Sequence, residues 1–262
     1  MNSLASLLSS DRLRQWCVMG AIAGGIAINT LSNFFPLNGL NVGQLSNQLF
    51  GAVRIIPANY AFAIWGFIYL GLIALGLYQL QPRQPQNSAL GRGGWLLVMA
   101  SVAQIGWIYL FQARLFALST LAMAGILLPL MALYRQLEIG KRTASRQTQW
   151  LVQYPISLYL AWISVATVVN VAIALYSLNW NGWGISPGVW ATMMALASGA
   201  IAVAVAIRHR DPVFPLTIVW ALVAIALRHA DIPLLAATAA AEAAGLTGLV
   251  IAQRLRPQRL EK

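Results

Sequence analysis

The segment PANYAFAIWGFIYLGLIAL, residues 57–75, decides the fold class of this chain. It is an almost unbroken apolar run, close to the roughly 20 residues that an α-helix needs to cross the hydrocarbon core of a bilayer. Asn59, Trp65 and two tyrosines interrupt the run near one end. A simple membrane anchor needs none of these side chains. We therefore expect a membrane helix with one face that has a role inside the protein.

The composition of the whole chain agrees with this assignment. Of its 262 residues, 59% are hydrophobic and 9% are charged, whereas soluble domains carry about 25% charged residues. The net charge of +11 does not indicate a nucleic-acid partner, because the basic residues form short clusters between apolar runs, as topology signals do. The sequence predicts an all-α fold, a polytopic membrane helical bundle.

Eight apolar segments are long enough to be membrane-spanning helices. They are residues 16–35, 59–80, 94–113, 115–134, 150–177, 188–207, 213–229 and 232–253. With this alternation, 14 of the 17 Lys and Arg residues lie on one side and three, Arg54, Arg114 and Arg228, on the other. Since basic residues favour the cytoplasmic side, we expect a multi-pass protein of a bacterial-type inner or plasma membrane with both termini cytoplasmic. The long external segment 36–58 is placed to fold over the mouth of the bundle.

The titratable residues do not form a catalytic or metal-binding set. The chain has six acidic residues, two histidines and one cysteine, Cys17. A thiolate metal site is excluded by the cysteine count, and no paired acids or nucleophile–base pair supports a membrane enzyme. We expect no catalytic residues, no metal and no required cofactor, and a binding or transport protein is favoured over an enzyme.

One acidic residue lies inside a predicted span. Glu242 is near the middle of the eighth segment, where a charged side chain is costly and usually functional. It is either a proton or cation site or a neutral carboxylic acid that bonds a neighbouring helix, and the sequence leaves both interpretations open. His229 and Asp231 lie at a helix end near water, where we expect an interfacial ion pair.

Aromatic and amide side chains recur on shared helix faces. Trp65 and Tyr69 are four residues apart, and Gln104 and Trp107 are three apart, so each pair lies on one face of its helix. Such faces suit a pocket for a flat, mostly apolar ligand with a few polar groups. They suit core packing equally well, and periodicity alone does not distinguish the two.

Three of these segments resemble motifs of a known family. PANYAFAIWGFIYLGL (57–72), AQIGWIYLFQAR (103–114) and SLYLAWISVATVVNVAI (157–173) resemble the second-, third- and fifth-helix motifs of the TspO/MBR family, the tryptophan-rich sensory or translocator proteins. The three matches occur in the family's order and cover about 16–178. The upstream LSNFFPLNGLNVGQLSN (31–47) resembles a longer branch with additional C-terminal helices.

The resemblance implies a five-helix bundle with a ligand pocket. Members of the family bind porphyrins, and some bind sterols or related lipids. Carried over by motif, Trp65, Trp107, Trp162 and Asn170 line or frame the pocket. Together with the helix-face pattern, this gives the predicted ligand-binding residues: Trp65, Tyr69, Gln104, Trp107, Trp162 and Asn170. Some members have a further Trp directly after the position matching Asn170, associated with porphyrin breakdown; here that residue is Val171, which argues against this activity.

The predicted organisation has four parts. They are a cytoplasmic N-terminal tail (1–15), a TspO/MBR-like five-helix bundle (16–178), three additional transmembrane helices (179–254) and a basic cytoplasmic tail (255–262). The predicted function is binding of a tetrapyrrole (porphyrin) or similar flat apolar ligand, in a sensory, regulatory or transport role. The alternative is a proton- or ion-coupled secondary transporter of a small hydrophobic substrate that uses Glu242. The expected partners are membrane lipids and a small apolar ligand, without nucleic acid; the sequence allows a homodimer.

Overall fold

The computed structural model of the chain describes residues 2–81 and 88–255, with the backbone alone for 2–10, 88–90 and 92. These residues form helices, turns and loops without a strand. The α-helices are α1 (Asn2–Phe34), α2 (Val42–Leu49), α3 (Ile64–Gln79), α4 (Ser88–Gln112), α5 (Phe116–Gln136), α6 (Arg146–Thr148), α7 (Tyr154–Ser177), α8 (Pro187–His209), α9 (Val213–Arg228) and α10 (Pro233–Leu255). The predicted all-α polytopic bundle is confirmed.

Seven stretches of the described chain are helical, apolar and long enough to cross a membrane. The first five predicted spans correspond to Asp11–Phe34, Asn59–Gln79, Gly93–Gln112, Phe116–Gln136 and Arg146–Ser177, and the sixth and eighth to α8 and α10. The seventh predicted span is α9, a shorter apolar helix of 16 residues. Helix α9 still runs from one end of the bundle to the other. Its first residue, Val213, contacts Asp211 in the link after α8, and its last residue, Arg228, contacts Pro57 in the segment before α3.

The loops gather at two ends of the bundle. We call one the α2 end; there the segment 35–58 meets the C-terminal ends of α4 and α9, with Leu37 N–H donating to Gln112 at 3.2 Å and Arg54 Nη1 lying 3.8 Å from the Asp231 carboxylate. We call the opposite end the far end. There α1 meets α3 through two side-chain to backbone hydrogen bonds between Gln15 and Gln79, of 2.6 and 3.3 Å. This arrangement agrees with an alternating eight-span topology.

The far end also joins the first five spans to α8 and α9. Asp211, in the link between these two helices, is only 2% exposed, and its carboxylate accepts hydrogen bonds from Tyr134 of α5 at 2.9 Å and from Ser157 of α7. Its other oxygen accepts from the N–H of Val213 at 2.9 Å, at the start of α9. Gly140, with a φ of +73°, packs its α-carbon against the backbone at His209. A buried carboxylate with three donors thus fixes the angle at which the last helices leave the bundle.

The boundaries between the four predicted parts of the chain remain predictions. The helix ends bear on one of them, the boundary after residue 15. Helix α1 begins at Asn2, so residue 15 is not a helix end. Residues 256–262 of the predicted basic tail lie outside the described residues, as do Arg83 and its neighbours in 82–87. The long fifth span begins with α6 and a π-helical turn (Gln149–Gln153) before α7. Pro155 then packs on Gly71 of α3, where a β-carbon would lie 3.0 Å from that of the proline.

Candidate functional site

A cavity of about 530 Å³ lies within the first five spans and reaches the α2 end. Its volume is within the range of about 300–1,000 Å³ that ligand pockets occupy. Five of the six predicted ligand-binding residues line it, namely Trp65, Gln104, Trp107, Trp162 and Asn170. The structure therefore brings together side chains from α3, α4 and α7 that are up to about a hundred residues apart in the sequence.

The sixth predicted residue, Tyr69, lies behind the wall of the cavity. Its ring stacks on Trp65, with ring centres 5.4 Å apart and planes inclined by 29°. Its hydroxyl accepts a hydrogen bond of 2.9 Å from Gln104 Nε2. The side-chain oxygen of Gln104, Oε1, accepts from the buried hydroxyl of Tyr159. Tyr69 thus positions two lining residues, Trp65 and Gln104, and does not itself line the cavity.

Asn170 is held in a second polar cluster. Its Oδ1 accepts from the indole N–H of Trp107 at 2.9 Å, and its Nδ2 donates to the hydroxyls of Ser119 and Thr120 at 3.1 and 2.9 Å. Since a buried amide costs free energy unless its hydrogen bonds are made, this cluster fixes the ring plane of Trp107 beside the cavity. Asn170 is therefore a framing residue with its hydrogen-bonding capacity used by the protein.

The aromatic residues of the wall differ in exposure. Trp162 is 2% exposed and meets the ring of Phe62 edge-on at 5.9 Å, whereas Trp65 is half-buried. Truncation of a core Trp costs about 3–5 kcal/mol through the void that it leaves. Trp65 is thus the residue whose removal reports on the cavity with least damage to the fold.

Helix α2 closes the cavity, as expected for a long segment over the bundle mouth. Asn41, Gln44, Asn47 and Gln48 of this segment line the cavity. Asn41 and Gln44 form a capping box: the Gln44 N–H donates to Asn41 Oδ1 and the Asn41 N–H donates to Gln44 Oε1, each at 2.9 Å. These rim amides were not predicted as site residues, because a loop has no periodicity that tells which side chains point inward. The only sequence signal was their density in NVGQLSNQ (41–48).

Helix α9 holds α2 in place from outside. Arg228, the last residue of α9, donates from Nη1 to Asn47 Oδ1 and, at 3.1 Å, to the carbonyl oxygen of Pro57. Asn47 in turn donates to the side chain of Asn59, at the start of the 3₁₀ turn (Asn59–Ala63) that leads into α3. The N–H of Ala58 donates to the carbonyl of Ala224 in α9 at 3.1 Å. The segment that closes the cavity is thus bound to a helix beyond the first five spans.

The predicted ion pair between His229 and Asp231 is wrong. His229 is 2% exposed, and its Nε2 donates to the carbonyl oxygen of Ile56 at 3.1 Å. Asp231 instead faces Arg54 at 3.8 Å. The His229 ring turns inward because the carbonyl group of Ile56, in the segment before α3, lies beside the end of α9. His229 is therefore a second contact between α9 and the closing segment.

We predict that His229 makes stability depend on pH. Burial lowers the pKa of His229 below its ordinary value of 6.5, with Arg228 and Arg54 acting in the same direction and Asp231 and the Ile56 carbonyl opposing it. Below about pH 6.5 the unfolded chain then binds more protons than the folded one, so the folded protein loses stability as the pH falls, until the pH is below the folded-state pKa. For one proton the slope is at most about 1.4 kcal/mol per pH unit.

The measurement compares thermal unfolding midpoints at pH 7.5 and 5.5 in one detergent. His229→Gln keeps an N–H donor for Ile56 without a titrating ring, so its midpoint should fall less than that of the parent. His209→Gln, which removes the other histidine of the chain, is measured beside it as the control. Equal pH dependence of the parent and His229→Gln would contradict this prediction.

Glu242 does not line the cavity. It lies between α10 and α8, where a β-carbon on Gly199 would overlap its carboxylate. Its Oε2 is buried and has no hydrogen-bond partner among the described residues. Its use as a proton or ion site therefore stays a prediction that the cavity does not support. Within the described residues, groups of three or more His, Cys, Asp or Glu side chains that could hold a metal ion are absent.

Comparison with known proteins bears on the whole bundle. A family model described as TSPO-like protein matches residues 15–252. The curated proteins and the solved structures gave no match. The match includes α8, α9 and α10, whereas the three motifs recognised in the sequence cover about 16–178. This agrees with the resemblance to a longer branch of the family with additional C-terminal helices. Since the match covers most of the chain and the helices are apolar and long, this protein is an integral membrane protein that belongs to the TSPO-like family.

Proposed function

We propose that the protein binds a tetrapyrrole, such as a porphyrin, or a similarly flat and mostly apolar ligand in the cavity beneath α2. The observation that carries this proposal is the cavity itself, about 530 Å³ in volume, with Trp65, Trp107 and Trp162 in its wall. Indole rings offer large flat apolar faces together with one N–H donor. The N–H of Trp107 is already bonded to Asn170, so this ring offers the ligand mainly its face.

The role that fits this site is sensing, regulation or transport of the bound ligand. Family membership and the absence of a catalytic set among the lining residues both favour binding without chemical change. The placement in the membrane belongs to the same proposal: a bacterial-type inner or plasma membrane, both termini in the cytoplasm and the α2 end outside. In that orientation Arg54, Arg114 and Arg228 are the external basic residues, and the ligand enters from the external side.

We predict that Trp65→Ala weakens porphyrin binding. Loss of one stacked aromatic residue costs about 1–3 kcal/mol, by analogy with base–aromatic stacking, or roughly 5- to 150-fold in the dissociation constant. The measurement is a titration of the purified protein with a porphyrin, followed by the porphyrin absorption band and by tryptophan fluorescence.

Trp95→Ala is the matched control for this titration. Trp95 lies on α4, is 47% exposed and does not line the cavity. Its replacement removes the same side chain and should leave the affinity unchanged. If Trp65→Ala folds and binds porphyrin as tightly as the parent and Trp95→Ala do, the ligand is not in this cavity.

A further inference from the structure

The chemistry of the cavity wall points to the charge of its ligand. None of the described residues that line the cavity is Asp, Glu, Lys, Arg or His. Nine of them are instead Asn or Gln, and the remaining ones are mostly apolar or aromatic. An ionised group that enters such a site loses part of its hydration without gaining an opposite charge from a lining residue, which costs free energy.

The polar groups of the wall are divided by depth. The two amides beside the aromatic wall, Gln104 and Asn170, are engaged with Tyr69, Tyr159, Trp107, Ser119 and Thr120. They keep the rings in place and have little capacity left for a ligand. The deep part of the cavity therefore presents aromatic and aliphatic surface, such as that of Met123, Ile126 and Ile163.

The amides of α2 differ in this respect. Gln44 uses its carbonyl oxygen and Asn41 its Oδ1 in the capping box, which leaves the NH₂ group of each available. Gln48 is exposed and makes no side-chain hydrogen bond with the described part of the chain. An amide NH₂ group donates to a neutral acceptor such as an ester, ketone or ether oxygen without a charge on either side.

The guanidinium group that contacts the wall does not supply the missing charge. Arg228 bonds to two lining residues, Asn47 and Pro57, and is not itself a lining residue. Its Nη1 is directed at protein acceptors that hold α2 closed. A ligand carboxylate would have to take Arg228 from these acceptors, which would open the site that holds the ligand.

We propose that the cavity selects uncharged ligands. The flat apolar body lies against the tryptophan rings. A neutral edge with hydrogen-bond acceptors faces Gln44 and Gln48 of α2 and Asn41, the residue before α2. Ligands with free carboxylates on that edge bind more weakly than their esters. This inference rests on the proposed function, because it concerns the ligand of the same cavity.

The test compares two forms of one macrocycle. Protoporphyrin IX, a dicarboxylic acid, and its dimethyl ester are titrated at pH 7.5 into the protein in a mild detergent. Ala166→Trp, which fills the cavity from its α7 wall, gives the background of porphyrin dissolved in the detergent. After subtraction of this background, we expect the ester to bind at least about tenfold more tightly than the acid, a difference of about 1.4 kcal/mol.

A second variant tests whether the difference in affinity between acid and ester arises at the edge of the cavity near α2. Gln48→Arg places a cation at the edge of the cavity, at a residue whose side chain makes no hydrogen bond within the described chain. It should raise the affinity for the acid about tenfold relative to any change in the affinity for the ester, because only the acid carries a charge that the new cation can pair with. Gln48→Leu, which adds no charge, should not favour the acid.

The outcomes separate this inference from the proposed function. Tighter binding of the ester, with a gain for the acid in Gln48→Arg, supports selection of neutral ligands. Equal or tighter binding of the acid to the parent overturns that selection and leaves the proposed porphyrin site intact. Binding of neither form above the Ala166→Trp background overturns the proposed porphyrin function and the selection with it.

Discussion

Asp211→Ala is expected to lower the free energy of unfolding by about 3–5 kcal/mol. The carboxylate of Asp211 accepts from Tyr134, Ser157 and the N–H of Val213, and all three bonds are lost together. Hydrogen bonds to charged groups contribute about 1.5–3 kcal/mol each. The variant no longer has the desolvation cost of the buried carboxylate, which offsets part of their sum. The measurement is the thermal unfolding midpoint in detergent, together with the fraction of protein that elutes as a single species.

Two companion variants make the result interpretable. Asp211→Asn keeps one oxygen for the N–H of Val213 and places an amide group toward Tyr134 and Ser157, so its loss should be smaller than that of Asp211→Ala. Glu138→Gln removes a carboxylate at the same end, where Glu138 pairs with Arg142 at 2.6 Å on the surface. Surface pairs are worth about 0–1 kcal/mol. A loss for Asp211→Ala as small as that for Glu138→Gln would show that the cluster does not hold the helices together.

Gly140→Ala is expected to cost about 2–5 kcal/mol. The residue has a φ of +73°, and a β-carbon there would overlap the carbonyl oxygen of His209. The left-handed backbone conformation costs a non-glycine residue roughly 1–2 kcal/mol, and the overlap adds about 1–3 kcal/mol for displaced backbone. Because the obstructing atom belongs to the main chain, no change of rotamer relieves the overlap.

Gly39→Ala separates the two contributions to this cost. Gly39 has a φ of +75°, but a β-carbon there meets open space. Its replacement should therefore show the conformational cost alone, and its unfolding midpoint should lie between those of the parent and Gly140→Ala. If both alanine variants lose the same stability, close packing of the loop against the α8–α9 link is not needed for folding.

Hydropathy gave the helices because the bilayer imposes a length and an apolar composition on each of them. Seven of the eight predicted spans correspond to long apolar helices, and the remaining one, the seventh in order, corresponds to α9, which has 16 residues. The second span begins at Asn59 as predicted, but hydropathy did not indicate that it starts as a 3₁₀ turn or that the Asn59 side chain bonds Asn47. Local sequence gives little information on which loop reaches a helix start.

The site was predicted partly from helix periodicity and partly from the family resemblance. Spacing indicated Trp65, Gln104 and Trp107, the resemblance implied Trp162 and Asn170, and all five line the cavity. Their role in ligand binding stays a prediction.

Contacts between distant segments were not predictable in this way. The rim amides of α2, the carbonyl of Ile56 opposite His229 and the burial of Asp211 all depend on segments that are distant in the sequence. A polar residue in a link between helices looks solvated until its tertiary neighbours are known.

The attachment of α2 to α9 has a kinetic consequence. If a ligand occupies the cavity as proposed and leaves by the α2 end, displacement of α2 would require Asn47 to separate from Arg228. The activation barrier for dissociation then includes bonds that the ligand itself never touches. For the proposed ligand, residence time and equilibrium affinity would then be separately adjustable. Residues of the cavity wall would set the affinity, and the last residues of α9 would set the rate of dissociation.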